Sequence, residues 1–173
     1  PRYNGFCRNL QPEEARRRVD AGEKYVIRFK MPKEGSITAT DLLRGSITTE
    51  NSALDDSVIL KSDGLPTYHL AAMLDDHLMK ITHVIRGSEW LPSLPLHTHI
   101  IRASGWDEPV FAHLSIFLKP SGKGKMSKRD VTSEQSIYVR ELEELGYLPE
   151  AVNGWIALMG ASFGAEEELL SLD

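Results

Sequence analysis

Eleven consecutive residues, Lys119-Pro120-Ser121-Gly122-Lys123-Gly124-Lys125-Met126-Ser127-Lys128-Arg129, hold five cations and no acid. Gly122 and Gly124 let the backbone bend. A flexible cationic loop of this kind can close on a polyphosphate and neutralise charge as it develops. A solvated basic turn has the same composition, and residue types alone leave both readings open. The Gly-x-x-x-x-Gly-Lys-[Ser/Thr] spacing of a Walker loop is absent.

The other chemistry-bearing side chains are scattered. Six histidines occur, at positions 69, 77, 83, 97, 99 and 113. His97 and His99 are two apart and share no helix face. His69 and His77 lie on a segment dominated by Leu and Met. No metal site is expected from them. Cys7 is the single cysteine, which excludes an intrachain disulfide and a zinc site built on a cysteine pair. It fits a reducing compartment. The 25 acids outnumber the 20 bases, for a net charge of -5, so any RNA contact must rest on a local basic patch. With 41 % apolar residues in a chain of 173, the composition is that of one globular domain or two small ones. No apolar stretch approaches a membrane span. The start, Pro1-Arg2-Tyr3-Asn4-Gly5, lacks an apolar signal region and an initiator Met.

The elements that must position this chemistry can be sketched from periodicity. Residues 12–21 read as a short helix, with Pro12 at a first helical position and Gly22 as the stop. Arg16, Arg17 and Arg18 read as a solvated face, with RNA contact as the alternative. Tyr25 to Lys30, Gly45 to Thr49 and Ser57 to Lys61 read as strands. Ser62-Asp63-Gly64-Leu65-Pro66 is a turn. The pattern then changes. Leu70, Met73, Leu74 and Leu78 form one helix face. Thr82 to Ile85 reads as a strand, Leu94 to Ala103 as a helix and Val110 to Leu118 as a strand. That order suggests a parallel α/β sheet with crossover helices. The cationic loop follows the last strand, where ligands of such sheets bind. Glu134 to Leu145 and Pro149 to Met159 read as helices separated by Gly146. Internal repeats and low-complexity tracts are absent.

The order Lys125-Met126-Ser127-Lys128-Arg129 resembles the K-M-S-K-S signature of class I aminoacyl-tRNA synthetases, in the form found in the glutamyl branch. The neighbouring blocks carry the resemblance further. Ser62-Asp63-Gly64-Leu65-Pro66-Thr67-Tyr68-His69-Leu70-Ala71, Asp75-Asp76-His77-Leu78-Met79 and Ile81-Thr82-His83-Val84-Ile85-Arg86-Gly87-Ser88-Glu89-Trp90-Leu91 are similar to segments of bacterial-type glutamyl-tRNA synthetases. The likeness extends from Tyr3-Asn4-Gly5 to Leu148-Pro149-Glu150-Ala151. It implies an α/β fold: the second half of a Rossmann-type class I synthetase catalytic domain, with an inserted α+β acceptor-binding unit and a helical C-terminal region. Residues 1–66 would be most of the inserted unit that holds the tRNA acceptor end. Residues 67–118 would be the catalytic half. Residues 119–173 would be the signature loop and the start of a stem-contact region. The family's first catalytic half, with its H-x-G-H-like signature, and its anticodon-binding part are expected outside this sequence. The isolated chain is therefore expected to be inactive.

The resemblance also implies roles. Lys125 and Lys128 would be the catalytic cations that hold departing phosphates. Met126, Ser127 and Arg129 would complete the ATP-binding loop, and Glu89, Trp90 and Leu91 would border the ATP site. Tyr68 and Arg86 would line the glutamate and adenylate pocket. A guanidinium at the end of a strand can grip a carboxylate bidentately. An ion pair of Arg86 with Asp75, Asp76 or Glu89 is the structural alternative, and a core aromatic is the alternative for Trp90. Ala72 departs from the Asn many members carry. Some relatives hold zinc in the inserted unit. Cys7 has no cysteine partner, so no zinc site is expected here. ATP with Mg2+, L-glutamate and tRNA(Glu) are the implied substrates, and the implied setting is a cytoplasmic monomer. A glutaminyl enzyme, an enzyme that glutamylates a modified tRNA base, and a non-catalytic RNA-binding fragment are the rival readings.

Overall fold

The structure, a computed structural model, describes residues 3–119, 121–122, 124–126 and 138–160. The chain divides into two compact units, one comprising Pro1–Ile85 with Trp90–His113 and the other Arg86–Glu89 with Leu114–Asp173.

The first unit opens on helix α1, Pro12–Asp20. Pro12 starts it, Glu13 and Glu14 face its positive end, and Gly22 follows it at φ 82°. None of its residues is buried. Glu14 accepts from Arg17 Nε at 2.7 Å and Arg18 Nε at 2.8 Å. Those two hydrogen bonds hold the Glu14 carboxyl down at about 2. Two of the three consecutive arginines thus serve the helix itself.

The strand expected over Tyr25 to Lys30 shrinks to β1, Ile27–Arg28, which pairs irregularly with a later strand. Tyr25, Val26 and Ile27 are exposed. Their β-branched and aromatic character is therefore not matched by burial on a sheet face. The next strand, β2 (Ser36–Asp41), was not expected. Its Ile37, Ala39 and Asp41 are buried while the residues between face out. Small and hydroxylated residues, ending on an acid, conceal that alternation. β3, Gly45–Glu50, pairs antiparallel with β2 from Ser36↔Glu50 to Asp41↔Gly45. β4, Val58–Leu60, pairs with β1.

Helix α2, Tyr68–Leu78, and helix α3, Leu94–Ala103, pack on each other, and α3 packs on β2. Between them come β5, His83–Gly87, and a 3-10 turn, Ser88–Ser93. β6 is Val110–Leu114, four residues shorter than the expected strand. The four-stranded sheet has the order β3-β2-β6-β5. It is mixed rather than wholly parallel, because the β2–β3 hairpin is antiparallel while β2 runs parallel to β6. Strands from both sides of residue 66 take part in this sheet. Met31, Ala39, Met73, Leu94, Leu96, Ile100, Ile101 and Phe111 form the core.

β2 and β6 meet at one backbone register point, Asp41↔Phe111. Side chains supply the remainder of that junction. The fully buried Asp41 accepts from the His113 backbone N–H at 3.0 Å and from His113 Nδ1 at 2.6 Å. Its other oxygen accepts from the N–H groups of Leu43 and Arg44, both at 3.0 Å. Burial pushes the Asp41 carboxyl up, but the His113 hydrogen bond and the Leu43 and Arg44 amides outweigh it and hold it below the ordinary range. Arg44 Nε then donates to the His113 carbonyl at 3.1 Å.

In the second unit, α4 (Val139–Glu144) and α5 (Pro149–Gly160) follow the cationic segment. Their boundary at Gly146, φ 85°, agrees with the expected stop. The part of the expected helix from Glu134 to residue 137 lies outside the described residues.

Replacing the Asp41 carboxylate by an amide turns one acceptor into a donor among four N–H groups, so Asp41→Asn is expected to cost about 3 kcal/mol. A carboxyl lowered in the folded state contributes stability above its unfolded value, near pH 4. That contribution is lost as pH falls through the folded value. The stability gap between the native protein and the Asn variant, read by urea denaturation, should therefore be constant from pH 7 to about 5 and narrow on acidification below about 4. A gap unchanged down to pH 2 would contradict this account.

Candidate active site

The turn before α2 sets the direction of Tyr68. Lys61 N–H donates to the Leu65 carbonyl at 2.9 Å, Gly64 sits at φ 82°, and Asp63 accepts from the Leu65 N–H. Thr67 then ties the entrance of α2 to β4. Its N–H donates to the Ile59 carbonyl at 2.8 Å and its hydroxyl to the Val58 carbonyl at 2.9 Å. That hydroxyl is consequently not used as a helix cap. Tyr68 is the first residue of α2 and is half exposed.

Two of the residues expected in the site come together here. The Tyr68 and Trp90 rings lie 4.6 Å apart, tilted by 33°. Trp90 is half-buried, and one side of it meets Tyr68. Leu91 packs on the edge of the core cluster. The Tyr68 ring also lies near His69 and His97, at 6.0 and 6.4 Å.

In the second unit, Arg86 is half-buried near the end of β5. Gly87 follows, and a methyl group there would sit 1.9 Å from Glu89 Oε2. Glycine is thus required for the Glu89 carboxylate to fold back over the strand end. There Glu89 forms an ion pair with Lys125 Nζ. The hydrogen bond from Lys125, together with Glu89's own backbone N–H, lowers the Glu89 carboxyl from its ordinary value. Glu89 and Lys125 were both expected at the ATP site, and the structure joins them directly.

Backbone hydrogen bonds tie the described start of the cationic segment together. Lys119 N–H donates to the Gly124 carbonyl at 3.0 Å, Met126 N–H to the Phe117 carbonyl at 2.7 Å, and Leu118 bridges Lys125 antiparallel. Gly122 and Gly124 adopt φ 71° and 81° to make this tight hairpin, a conformation costly for residues with a Cβ. The Phe117 ring rests against Trp155 of α5 at 4.9 Å. The hairpin gives Lys125 a fixed root. Ser127, Lys128 and Arg129, as well as Lys123, lie outside the described residues. The sequence sets His69 beside His77 and His97 beside His99, and does not pair His69 with His97. Their adjacency has no local signal, because 28 positions separate them.

Comparison with known proteins gives this geometry a context. A family model described as tRNA synthetases class I (E and Q), catalytic domain, matches residues 1–173. A glutamate–tRNA ligase of Finegoldia magna is 44 % identical over 173 residues, covering 100 % of this chain and 34 % of the relative. One from Flavobacterium johnsoniae is 48 % identical over 176 residues, covering 95 % of this chain and 35 % of the relative. The crystal structure of a glutamate-tRNA synthetase from Elizabethkingia anophelis superposes with a TM-score of 0.78 at 43 % identity, over 98 % of this chain and 38 % of that one. The chain spans about a third of the length of the curated relatives it matches. With the match running from its first residue to its last, and the signature loop and Tyr68 block in family order, the chain belongs to the E and Q class I tRNA synthetases, within their catalytic domain.

Proposed function

We propose that this chain is an internal part of a glutamate–tRNA ligase, the enzyme that joins L-glutamate to ATP and passes the glutamyl group to tRNA(Glu), and that it holds the second half of the catalytic domain. The observation that carries the proposal is the likeness to glutamate–tRNA ligases at 44 to 48 % identity over 95 to 100 % of this chain. In this reading residues 67–118 supply the second half of a Rossmann-type domain, residues 1–66 hold the tRNA acceptor end, and residues 119–173 supply the signature loop and begin the stem contact. The enzyme would act as a cytoplasmic monomer.

Adenylate formation needs little covalent help from the protein. The glutamate carboxylate attacks the α-phosphorus, the bond to the bridging oxygen breaks, and pyrophosphate leaves with its negative charge. Orientation and charge stabilisation are what a protein can add. Arg86 would grip a glutamate carboxylate, and the Tyr68 hydroxyl would hydrogen-bond the amino acid. Lys125 and Lys128 would neutralise the leaving phosphates, with Met126, Ser127 and Arg129 shaping the loop. Glu89, Trp90 and Leu91 would line the nucleotide side. Mg2+ would arrive with the triphosphate as part of the substrate. Among the described residues, no group of three or more His, Cys, Asp or Glu side chains could hold a metal ion.

The Glu89–Lys125 pair gives this reading a direct electrostatic test. Lys125→Met should return the Glu89 carboxyl toward its ordinary value, followed by carboxyl-carbon NMR through a pH titration. An unchanged midpoint would mean that Lys125 is not the cause of the lowering. In the full-length protein that carries this chain, Arg86→Ala should weaken glutamate use more than ATP use. Removing one partner of a desolvated ion pair costs on the order of 3–5 kcal/mol. Equal losses for both substrates would favour a structural ion pair. Lys128→Ala should slow adenylate formation about a hundred- to a thousand-fold, as loss of one transition-state donor does. Lys123→Ala removes the same charge outside the five-residue signature and should slow it far less. Equal slowing in stopped-flow measurements would show that the loop acts only as a diffuse positive field.

A further inference from the structure

The core between α2 and α3 holds two imidazoles in direct contact. His97, in the middle of α3, is fully buried. Its Nε2 lies 2.9 Å from Nδ1 of His69, the second residue of α2. One nitrogen must donate and the other accept, so the bond fixes complementary tautomers. Neither ring can turn over without replacing a nitrogen by a carbon at the contact.

The placement of this pair matters because of what lies next to it. Tyr68 immediately precedes His69, and its ring is bounded by Trp90 at 4.6 Å, His69 at 6.0 Å and His97 at 6.4 Å. The first turn of α2 has no side-chain cap, since the Thr67 hydroxyl is spent on β4. The helix start is therefore oriented by β4 on one side and by the imidazole bond to α3 on the other. The described residues offer the Tyr68 hydroxyl no hydrogen bond, which leaves it available to a ligand.

We propose that His97, acting through His69, is a positioning residue for Tyr68, holding the first turn of α2 so that the phenol is presented to the amino-acid substrate in one orientation. This rests on the reading of Tyr68 as a substrate contact. A lost positioning bond should therefore appear in amino-acid use and spare the nucleotide.

The test is ATP–pyrophosphate exchange by the full-length protein that carries this chain, with the Michaelis constants for glutamate and ATP determined separately. His97→Leu should raise the constant for glutamate roughly tenfold, the worth of one buried hydrogen bond, and leave that for ATP within about twofold. His97→Gln restores a polar atom near the place of Nε2 and should recover most of the loss. His69→Leu, at a half-buried position, breaks the same bond from the other side and should give the same split even if His97→Leu fails to fold. Tyr68→Phe separates the two layers of the argument. If Tyr68→Phe impairs glutamate use while His97→Leu and His69→Leu do not, the positioning role is overturned and the Tyr68 contact stands. If Tyr68→Phe leaves glutamate use intact, the substrate reading falls and the positioning role falls with it. Equal rises for both substrates, or a Gln variant no better than Leu, would likewise overturn the proposal.

Discussion

A carboxylate taken fully out of water must be given donors, and Asp41 is given four. Two come from the turn it begins and two from His113 on a strand far along the chain. Because the backbones of β2 and β6 meet at only one register point, this carboxylate does the joining that a ladder of amides does elsewhere. Removing any one donor would leave the others crowded around an undersatisfied charge. The order β3-β2-β6-β5, and with it the seat of α3 against β2, follows from a polar node inside an apolar core.

The same economy governs the second unit. The cationic segment begins as a hairpin with defined hydrogen bonds, and one of its lysines is neutralised by Glu89. That pairing is possible because Gly87 leaves space for the carboxylate. A lysine with an internal counter-ion does not repel its neighbours in the absence of a polyanion. It can exchange one carboxylate for phosphate oxygens when a polyanion binds. The net acidic composition is compatible with a local cationic site because charge is organised residue by residue and screened within about 10 Å.

What the sequence discloses and what it conceals divide along physical lines. α3 is legible to the residue, Leu94 to Ala103, because its apolar spacing and the following Gly105 are local signals. β2 is not legible, because its buried face is one Ile37, a small Ala39 and an acid, Asp41. Tyr25 and Val26 carry strand propensity but are exposed and lie outside β1, so the strand shrinks to Ile27–Arg28. The signature segment is recognisable, yet its hairpin ladder depends on Gly122 and Gly124 adopting left-handed geometry, which glycine permits without requiring. In the site, Tyr68 and Trp90 are identified one by one, while their contact is not. The His69–His97 and Glu89–Lys125 pairs join positions 28 and 36 apart and have no local pattern at all.

These separations also set an order of assembly. The β2–β3 hairpin links Thr38 to Thr48 across 10 positions, the imidazole pair spans 28, Asn51 reaches His99 across 48, and Asp41 waits for His113 across 72. Each doubling of a closed loop costs only about 0.6 kcal/mol more, but long loops close after short ones unless local structure brings their ends together. The hairpin and then the α2–α3 pair shorten the effective distance that Asp41 must search. During synthesis, the carboxylate leaves the ribosome well before its histidine does. In that interval Asp41 remains solvated, and the sheet acquires its final strand neighbour only when the last of these contacts closes.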